Sequence, residues 1–546
     1  MRLSRSLYVV LVLLGLTLVL LCSIPGAFAS AYNARPKLIV VIVIDQFRGD
    51  YLERYRDQFG DGGFRVFLDR GAYFTDCNYD YANTRTAPGH ATLFTGSYTS
   101  GHGIVANEWW DPQKKKRVTS VEDDTTKLVG VGGGKTGPGA SPHNLLSDTL
   151  GDELKLATGG KARVFAISLK DRAAVLPAGF SGDAAYWIDP KTGDWITSTY
   201  YRADLPEWVR NFNSSHRAEK YWNREWKDSD GNTLGSTATR NGKDGAAAGF
   251  YEVVGSTPFA NDYQFEFVKE LVLYEKLGTG SVTDLLVISL SANDILGHQV
   301  GPDSPQMRSM ALELDRSLAE FFGFLGHQIG MANVWMALSA DHGVAPLPEF
   351  AKTLRLPAAN LDTKALREQI NSLLSKKYAK KADYVLDLDY PLAWLSEDAF
   401  AGHKESDAEA DAGEAMKQAG LAGYFTKSQL ARGETPATEI GRRYAHSYSP
   451  EGGWYVIGIP TPFNVGIMKG TDHATPFSYD THVPLAFYGL VFQPGTYRTH
   501  AEPVDLAVTL ASLLGINAPA KATGRVLTEA LLPPHHAIAP SAGGTQ

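Results

Sequence analysis

The sequence predicts a doubly wound α/β fold: a mainly parallel sheet sandwiched by helices, with insertions over one end. Three observations carry this. Several apolar runs are unbroken rather than alternating, as in strands buried on both faces of a parallel sheet. Segments with helical periodicity lie between the runs. Four of the runs end in residues with useful chemistry, where sites form beyond the carboxyl ends of such strands.

Residues 1–29 read as a secretory signal. Arg2 and Arg5 precede an apolar stretch from Leu7 to Leu21, and Ala27-Phe28-Ala29 offers a small-x-small cleavage site before Ser30. The competing reading is a retained anchor, because the stretch approaches the ~20 residues of a membrane span. A lipid attached at Cys22 fits less well, since Leu20-Leu21 lack the small residue expected before it. Cleavage removes Arg2, Arg5 and Cys22, takes the formal net charge from −8 to −10 and leaves Cys77, expected as a core thiol. The chain is then an exported one, periplasmic or secreted, without an internal disulfide. No later segment has 18 consecutive apolar residues.

The composition of the 546 residues, 44% hydrophobic and 21% charged, excludes collagen, coiled coil and wholesale disorder. The negative charge argues against a nucleic-acid partner held by a basic surface. The strand candidates follow in order. Lys37–Ile44 ends at Asp45, and Arg163–Leu169 ends at Lys170-Asp171-Arg172. Asp284–Leu290 precedes Asn293-Asp294, and Asn333–Ser339 precedes Asp341-His342-Gly343. A helix is expected from Ser141-Pro142 to a stop at Gly159-Gly160, and another from Ser304-Pro305.

Residues 30–532 read as a single catalytic domain with insertions at about 108–140, 183–260 and 348–460. The first carries Lys114-Lys115-Lys116, read as a solvated face. The last should hold helices around Leu361 to Ala382 and a hairpin near Tyr384 to Leu395. The tail, 533–546, is expected to be disordered, so its His535-His536 pair makes a poor ligand. Asn213-Ser214-Ser215 is a glycosylation sequon with no role assigned.

Asp294 and His298 stand at i and i+4, one helical turn apart on one face. Asp341-His342 and Asp45 add further ligands at strand ends, and His482 stands just before the apolar run Val483–Tyr488. Carboxylates and imidazoles without thiolates suit Zn²⁺, with Mn²⁺, Co²⁺ or Ca²⁺ as weaker alternatives. Six ligands are too many for one zinc and about right for two. His473 rivals His482, which we place in the site; His90 and His102 are expected to hold loops. A nucleophile lies nearby. In Thr86-Ala87-Pro88-Gly89-His90 the proline marks a first helical turn, so Thr86 falls at a helix N-terminus, where an alkoxide and a phosphate are favoured.

Together these residues resemble the alkaline phosphatase superfamily, within the branch shared with nucleotide pyrophosphatase/phosphodiesterases. The resemblance runs from about residue 37 to 520. It implies an alkaline phosphatase-like fold and two Zn²⁺ per chain, one held by Asp294, His298 and His482. The other is held by Asp45, Asp341, His342 and the nucleophile Thr86. Asn107, Lys170 and Arg172 match the phosphate-binding residues of the threonine-nucleophile alkaline phosphatases, which diesterase members lack in their Lys-x-Arg part. The sulfatase pattern fails because no Arg follows Thr86-Ala87-Pro88-Gly89.

The resemblance therefore implies a zinc phosphomonoesterase working through a phosphothreonine intermediate, and residues 1–29 imply that it is exported. Its rivals are a nucleotide pyrophosphatase/phosphodiesterase on the same core and a non-catalytic exported binding protein. Small phosphate monoesters are the expected partners. No nucleic-acid, obligate protein or (after cleavage) membrane partner is expected.

Overall fold

The run after Lys37 forms β1 (Leu38–Ile44), and all seven of its residues are fully buried. The computed structural model describes residues 35–131, 137–238 and 249–532. The expected signal segment and C-terminal tail lie outside the described residues, as does part of the glycine cluster near residue 133. Only unbroken branched and apolar residues can line both faces of a central strand, and β1 is such a strand. It pairs in parallel with β8 (Asp284–Leu290) on one side and β9 (Val334–Ser339) on the other.

Beyond β8 the sheet continues in parallel through β5 (Val164–Ile167) and β6 (Ala184–Ile188). Beyond β9 comes the antiparallel β10 (Leu485–Tyr488), then β2 (Ala72–Phe74) and β11 (Gly495–Tyr497). The far edge is completed by β7 (Trp195–Ser198), β3 (Glu122–Val129) and β4 (Pro138–Ala140), giving eleven strands in all. Parts of two stretches read as insertions thus extend the main sheet. In this register Val43 stands opposite Ser339 and Ile44 opposite Leu290. The chain leaving β1 therefore emerges level with the chains leaving β8 and β9, so Asp45 comes level with Ser291 and Asp341.

Helices flank the sheet: α1 (Thr86–Thr95), α2 (Leu150–Ala157), α3 (Asp171–Ala178), α4 (Pro258–Tyr274), α5 (Ala292–Val300) and α6 (Pro305–Gln328). Ser304 caps α6 as expected, accepting from the Met307 N–H. The start expected at Ser141 is corrected. Ser141 Oγ instead donates to Asp123 Oδ2 at 2.6 Å, and the helix begins eight residues after Pro142 in a Thr149–Asp152 capping box. Asn213 is also occupied: its amide pairs with both the N–H and the carbonyl of Trp195, 2.9 Å each. Cys77 is buried, and burial pushes its thiol well above the usual range.

Within 348–460, helices Thr363–Lys377 and Glu405–Gln418 pack against a four-stranded antiparallel sheet. Its strands are Val385–Asp389, Leu392–Leu395, Tyr455–Ile459 and Gly423–Thr426, and the first two form the expected hairpin. They enclose a second small core that includes Leu374, Phe400, Met416 and Val456.

Candidate active site

Four chain ends meet beyond the carboxyl edge of the sheet. Asp45 follows β1, Lys170 follows β5, Asp294 lies in the first turn of α5 after β8, and Asp341-His342 follow β9. Two groups of ligand-type side chains result, each with its ligand atoms within 4.8 Å of one another: Asp45, Asp341, His342 and Asp294, His298, His473.

In the first group Asp45 Oδ1, Asp341 Oδ2 and His342 Nε2 are buried without a hydrogen-bond partner among the described residues. His342 Nε2 stands 3.4 Å from Asp45 Oδ1 and 3.7 Å from Asp341 Oδ2. Buried polar atoms are almost always paired, so three unpaired ones aimed at one another mark a cation site. The titration behaviour agrees. Burial, then the neighbouring Asp294 and Asp341, push Asp45 well above the carboxylate range, as crowded anions do when a cation is called for.

In the second group Asp294 Oδ1 lies 3.1 Å from His298 Nε2 and 3.9 Å from His473 Nε2. Three imidazoles present Nε2 to the site because Nδ1 faces a backbone carbonyl: His298 to Thr471 (2.8 Å), His342 to Gly343 (2.9 Å) and His473 to Thr84 (2.6 Å). Such bonds fix the tautomer and leave the Nε2 lone pair for a metal. Burial holds His342 and His473 below the usual histidine range, whereas at His298 burial is outweighed by the Asp294 carboxylate, which pushes that imidazole up to about 10.

The expectation for His482 is corrected. Its Nε2 lies 2.9 Å from the Thr75 carbonyl oxygen, and its ring packs where a Cβ on Gly49 would come within 2.6 Å. The histidine that the structure places beside Asp294 and His298 is His473.

Thr86 is the first residue of α1, buried, with Oγ1 3.4 Å from Lys170 Nζ. The helix approaches β9 so closely that a Cβ on Gly89 would overlap the Asp341 carbonyl oxygen. His90, one turn along α1, stands with Nδ1 2.8 Å from the Thr86 carbonyl oxygen and 3.3 Å from Asp341 Oδ2. His102 bonds Thr92 Oγ1 and the Ile104 N–H, a loop-holding role as expected.

Lys170 Nζ reaches Asp45 Oδ2 and Asp294 Oδ2, 2.6 Å each, joining one carboxylate from either group. Asn107 accepts from the Ala87 N–H at 2.8 Å, which leaves its Nδ2 donor for a ligand. Arg172 shares with Asn107, His298 and His473 a cavity of about 240 Å³. Its Nε is buried and unpartnered among the described residues. The helix α3 starts at Asp171, so Lys170 stands at its N-cap position without a side-chain capping bond and Arg172 lies in its first turn.

Two contributors carry no pattern in the sequence. Arg85, just before Thr86, donates to the carbonyls of Asp389 (2.9 Å) and Tyr390 (3.0 Å), strapping the nucleophile helix to the small sheet. Gln46, just after Asp45, contacts both ligand groups; its only signal is a backbone angle.

A family model for type I phosphodiesterase / nucleotide pyrophosphatase matches residues 39–422. The chain belongs to that family. Among type I phosphodiesterase / nucleotide pyrophosphatase relatives it is 35% identical over 538 residues to a Myroides odoratus protein named calcium-transporting ATPase, covering 93% of this chain and 96% of that one. It is 33% identical over 527 residues to alkaline phosphatase PhoV of Synechococcus elongatus, covering 91% and 93%. A crystal structure of alkaline phosphatase PafA superposes with a TM-score of 0.83 at 30% identity, covering 91% of this chain and 99% of PafA. The fold is thus that of the alkaline phosphatase superfamily.

Proposed function

We propose that this phosphate-ester hydrolase is a two-zinc alkaline phosphatase that cleaves phosphate monoesters through a phosphothreonine at Thr86. One observation carries the reading: two groups of ligand-type side chains, buried except for the part-exposed His298 and with three of their atoms unpaired among the described residues, flank a helix-N-terminal threonine. Three carboxylates and three imidazoles without a thiolate suit Zn²⁺. Asp45, Asp341, His342 and Thr86 would hold one ion, and Asp294, His298 and His473 the other. Bound there, the pair supplies Lewis acidity for the attacking and leaving oxygens.

The chain's own groups do the rest. Thr86 Oγ gives up its proton and bonds to phosphorus as the ester P–O bond breaks and the alcohol leaves. The threonine's proton leaves on the alcohol; water then attacks the phosphothreonine and breaks the Thr86 Oγ–P bond, one of its protons passing to Thr86 Oγ as hydrogen phosphate is freed. Positive partial charge at the N-terminus of α1 favours both the alkoxide and the phosphoryl group. Asn107 Nδ2, Lys170 and Arg172 would bind the non-bridging oxygens, where charge is held but bonding changes little.

Three such donors suit a dianionic monoester. The cavity mouth supports the same choice. It is lined by Arg85, Glu108, Arg117, Asp389 and Asp472, charged groups suited to a charged ester. The alkaline phosphatase names among the relatives support the same reading. A kcat/KM ratio well above one for p-nitrophenyl phosphate over its bis ester supports the reading, and a strong diester preference overturns it. A labelled phosphoenzyme persisting in Thr86→Ala would move the nucleophile elsewhere. On residues 1–29 alone we also propose export, which N-terminal sequencing of the exported protein would test at Ala29.

A further inference from the structure

Gln46 is the second residue after β1 and has φ = 63°, the left-handed region that a side chain with a Cβ rarely adopts. It is fully buried. That conformation turns its backbone N–H onto Asp341 Oδ1 at 3.0 Å and sends its side chain to Asp294, where Nε2 donates to Oδ1 at 2.7 Å. The amide must present its nitrogen, because a carboxylate oxygen only accepts. Room for the other end comes from α5: a Cβ on Gly297 would overlap Gln46 Oε1. One residue therefore grips a carboxylate from each ligand group.

Lys170 also spans both groups, but as a cation it adds charge. Gln46 is neutral, so its contribution is orientation. Asp294 Oδ1 is the oxygen that faces His298 and His473, and the Gln46 donor fixes how that carboxylate is rotated toward them.

We infer that Gln46 is a positioning residue that sets the Asp294 carboxylate for the second metal and holds the two metal groups in register. The inference rests on the two-zinc reading above. Strain at a non-glycine residue persists only where the surroundings impose it, and such strain gathers at functional sites.

The test uses the full-length protein stripped of metal and titrated with Zn²⁺ against a chromogenic chelator. Two variants perturb the position in opposite ways. Gln46→Met keeps the volume and the left-handed backbone but has no donor; Gln46→Gly relieves the backbone and empties the space. Both keep the backbone N–H to Asp341. Each should bind a first zinc like the wild type and a second about 10–100-fold more weakly, the usual effect of losing a partner of a metal ligand. In both, kcat should fall with little change in KM. Wild-type affinity for the second zinc in Gln46→Met would overturn the inference, because filling space would then suffice. A wild type that takes up two zincs while both variants do so equally well would overturn it alone. A wild type that takes up fewer than two would overturn the two-zinc reading, and the role of Gln46 with it.

Discussion

His473 holds its ring to the Thr84 carbonyl oxygen at 2.6 Å, two residues before the candidate nucleophile. The same two strands of chain are joined again by Thr475 N to Thr84 Oγ1 (2.9 Å) and by Ala474 N to the Thr84 carbonyl (3.2 Å). The candidate ligand His473 and the loop leading to the candidate nucleophile are thus one hydrogen-bonded unit, and the loop 471–475 sets where Thr86 stands.

From this, His473→Ala and His482→Ala should part company. His473→Ala should lose one zinc per chain and at least about 100-fold in kcat/KM, in line with loss of a direct ligand. His482→Ala should keep its zinc and lose about 1–3 kcal/mol of stability, because it breaks a bond to Thr75 and opens a gap beside Gly49. Metal analysis with thermal melts decides, and zinc loss confined to His482→Ala would reverse the assignment.

Most of the site could be read in advance because strand ends are visible as the last residues of apolar runs. Asp45 and Asp341-His342 each follow an unbroken run, and Asp294 with His298 shows the spacing of one helical turn. His473 carries no such mark. It sits on an irregular loop held by a backbone carbonyl, whereas His482 borrows plausibility from the apolar strand that follows it. Gln46 was invisible for a different reason: its role depends on a left-handed φ that sequence pattern does not encode. In the fold, the helix near residue 145 was misplaced because Ser141 has the chemistry of a cap yet spends it on Asp123. The sheet's far edge lacks the apolar signature of the centre, because β3 is half exposed and mostly polar and β4 is only Pro-Gly-Ala.

Gly89→Ala pits two effects of opposite sign. Inside a helix Ala is favoured over Gly by about 1 kcal/mol. Here, however, the new Cβ meets the Asp341 backbone carbonyl, which is fixed at the end of β9 and cannot turn aside. Overpacking of that kind costs about 1–3 kcal/mol and is relieved by sliding α1 away from the sheet. The variant should melt lower than the wild type, and kcat should fall because Thr86 moves with the helix. A higher melting temperature with unchanged kcat would show that the helix is not clamped there.

Arg172→Ala removes a cation that lines the cavity beside Asn107 and reaches no closer than 3.6 Å to its one recorded ion-pair partner, Asp171. A donor to a charged oxygen contributes about 1.5–3 kcal/mol, so the monoester should lose about 10–100-fold in kcat/KM. The bis ester carries one less charge on phosphorus and should lose much less. Parallel kinetics on both esters check this, and equal losses would remove Arg172 from monoester discrimination.

His102 gives a pH dependence whose sign follows from its surroundings. It is fully buried between Thr92 and the Ile104 N–H, and burial lowers its pKa from 6.5 to about 3. The folded protein therefore keeps it neutral where the unfolded chain takes up a proton. Because the unfolded state binds the extra proton, stability falls as pH drops below 6.5, by about 1.4 kcal/mol per pH unit, until the folded group titrates near pH 3. Above 6.5 neither state binds the proton and His102 has no effect on the slope. Replacing it with Gln should lower stability at pH 8, through imperfect packing, yet flatten the fall between pH 6.5 and 4. Metal ligands protonate in both proteins over that range, so the difference between their urea midpoints isolates His102. Parallel curves would mean that this histidine takes up its proton without unfolding the α1 loop.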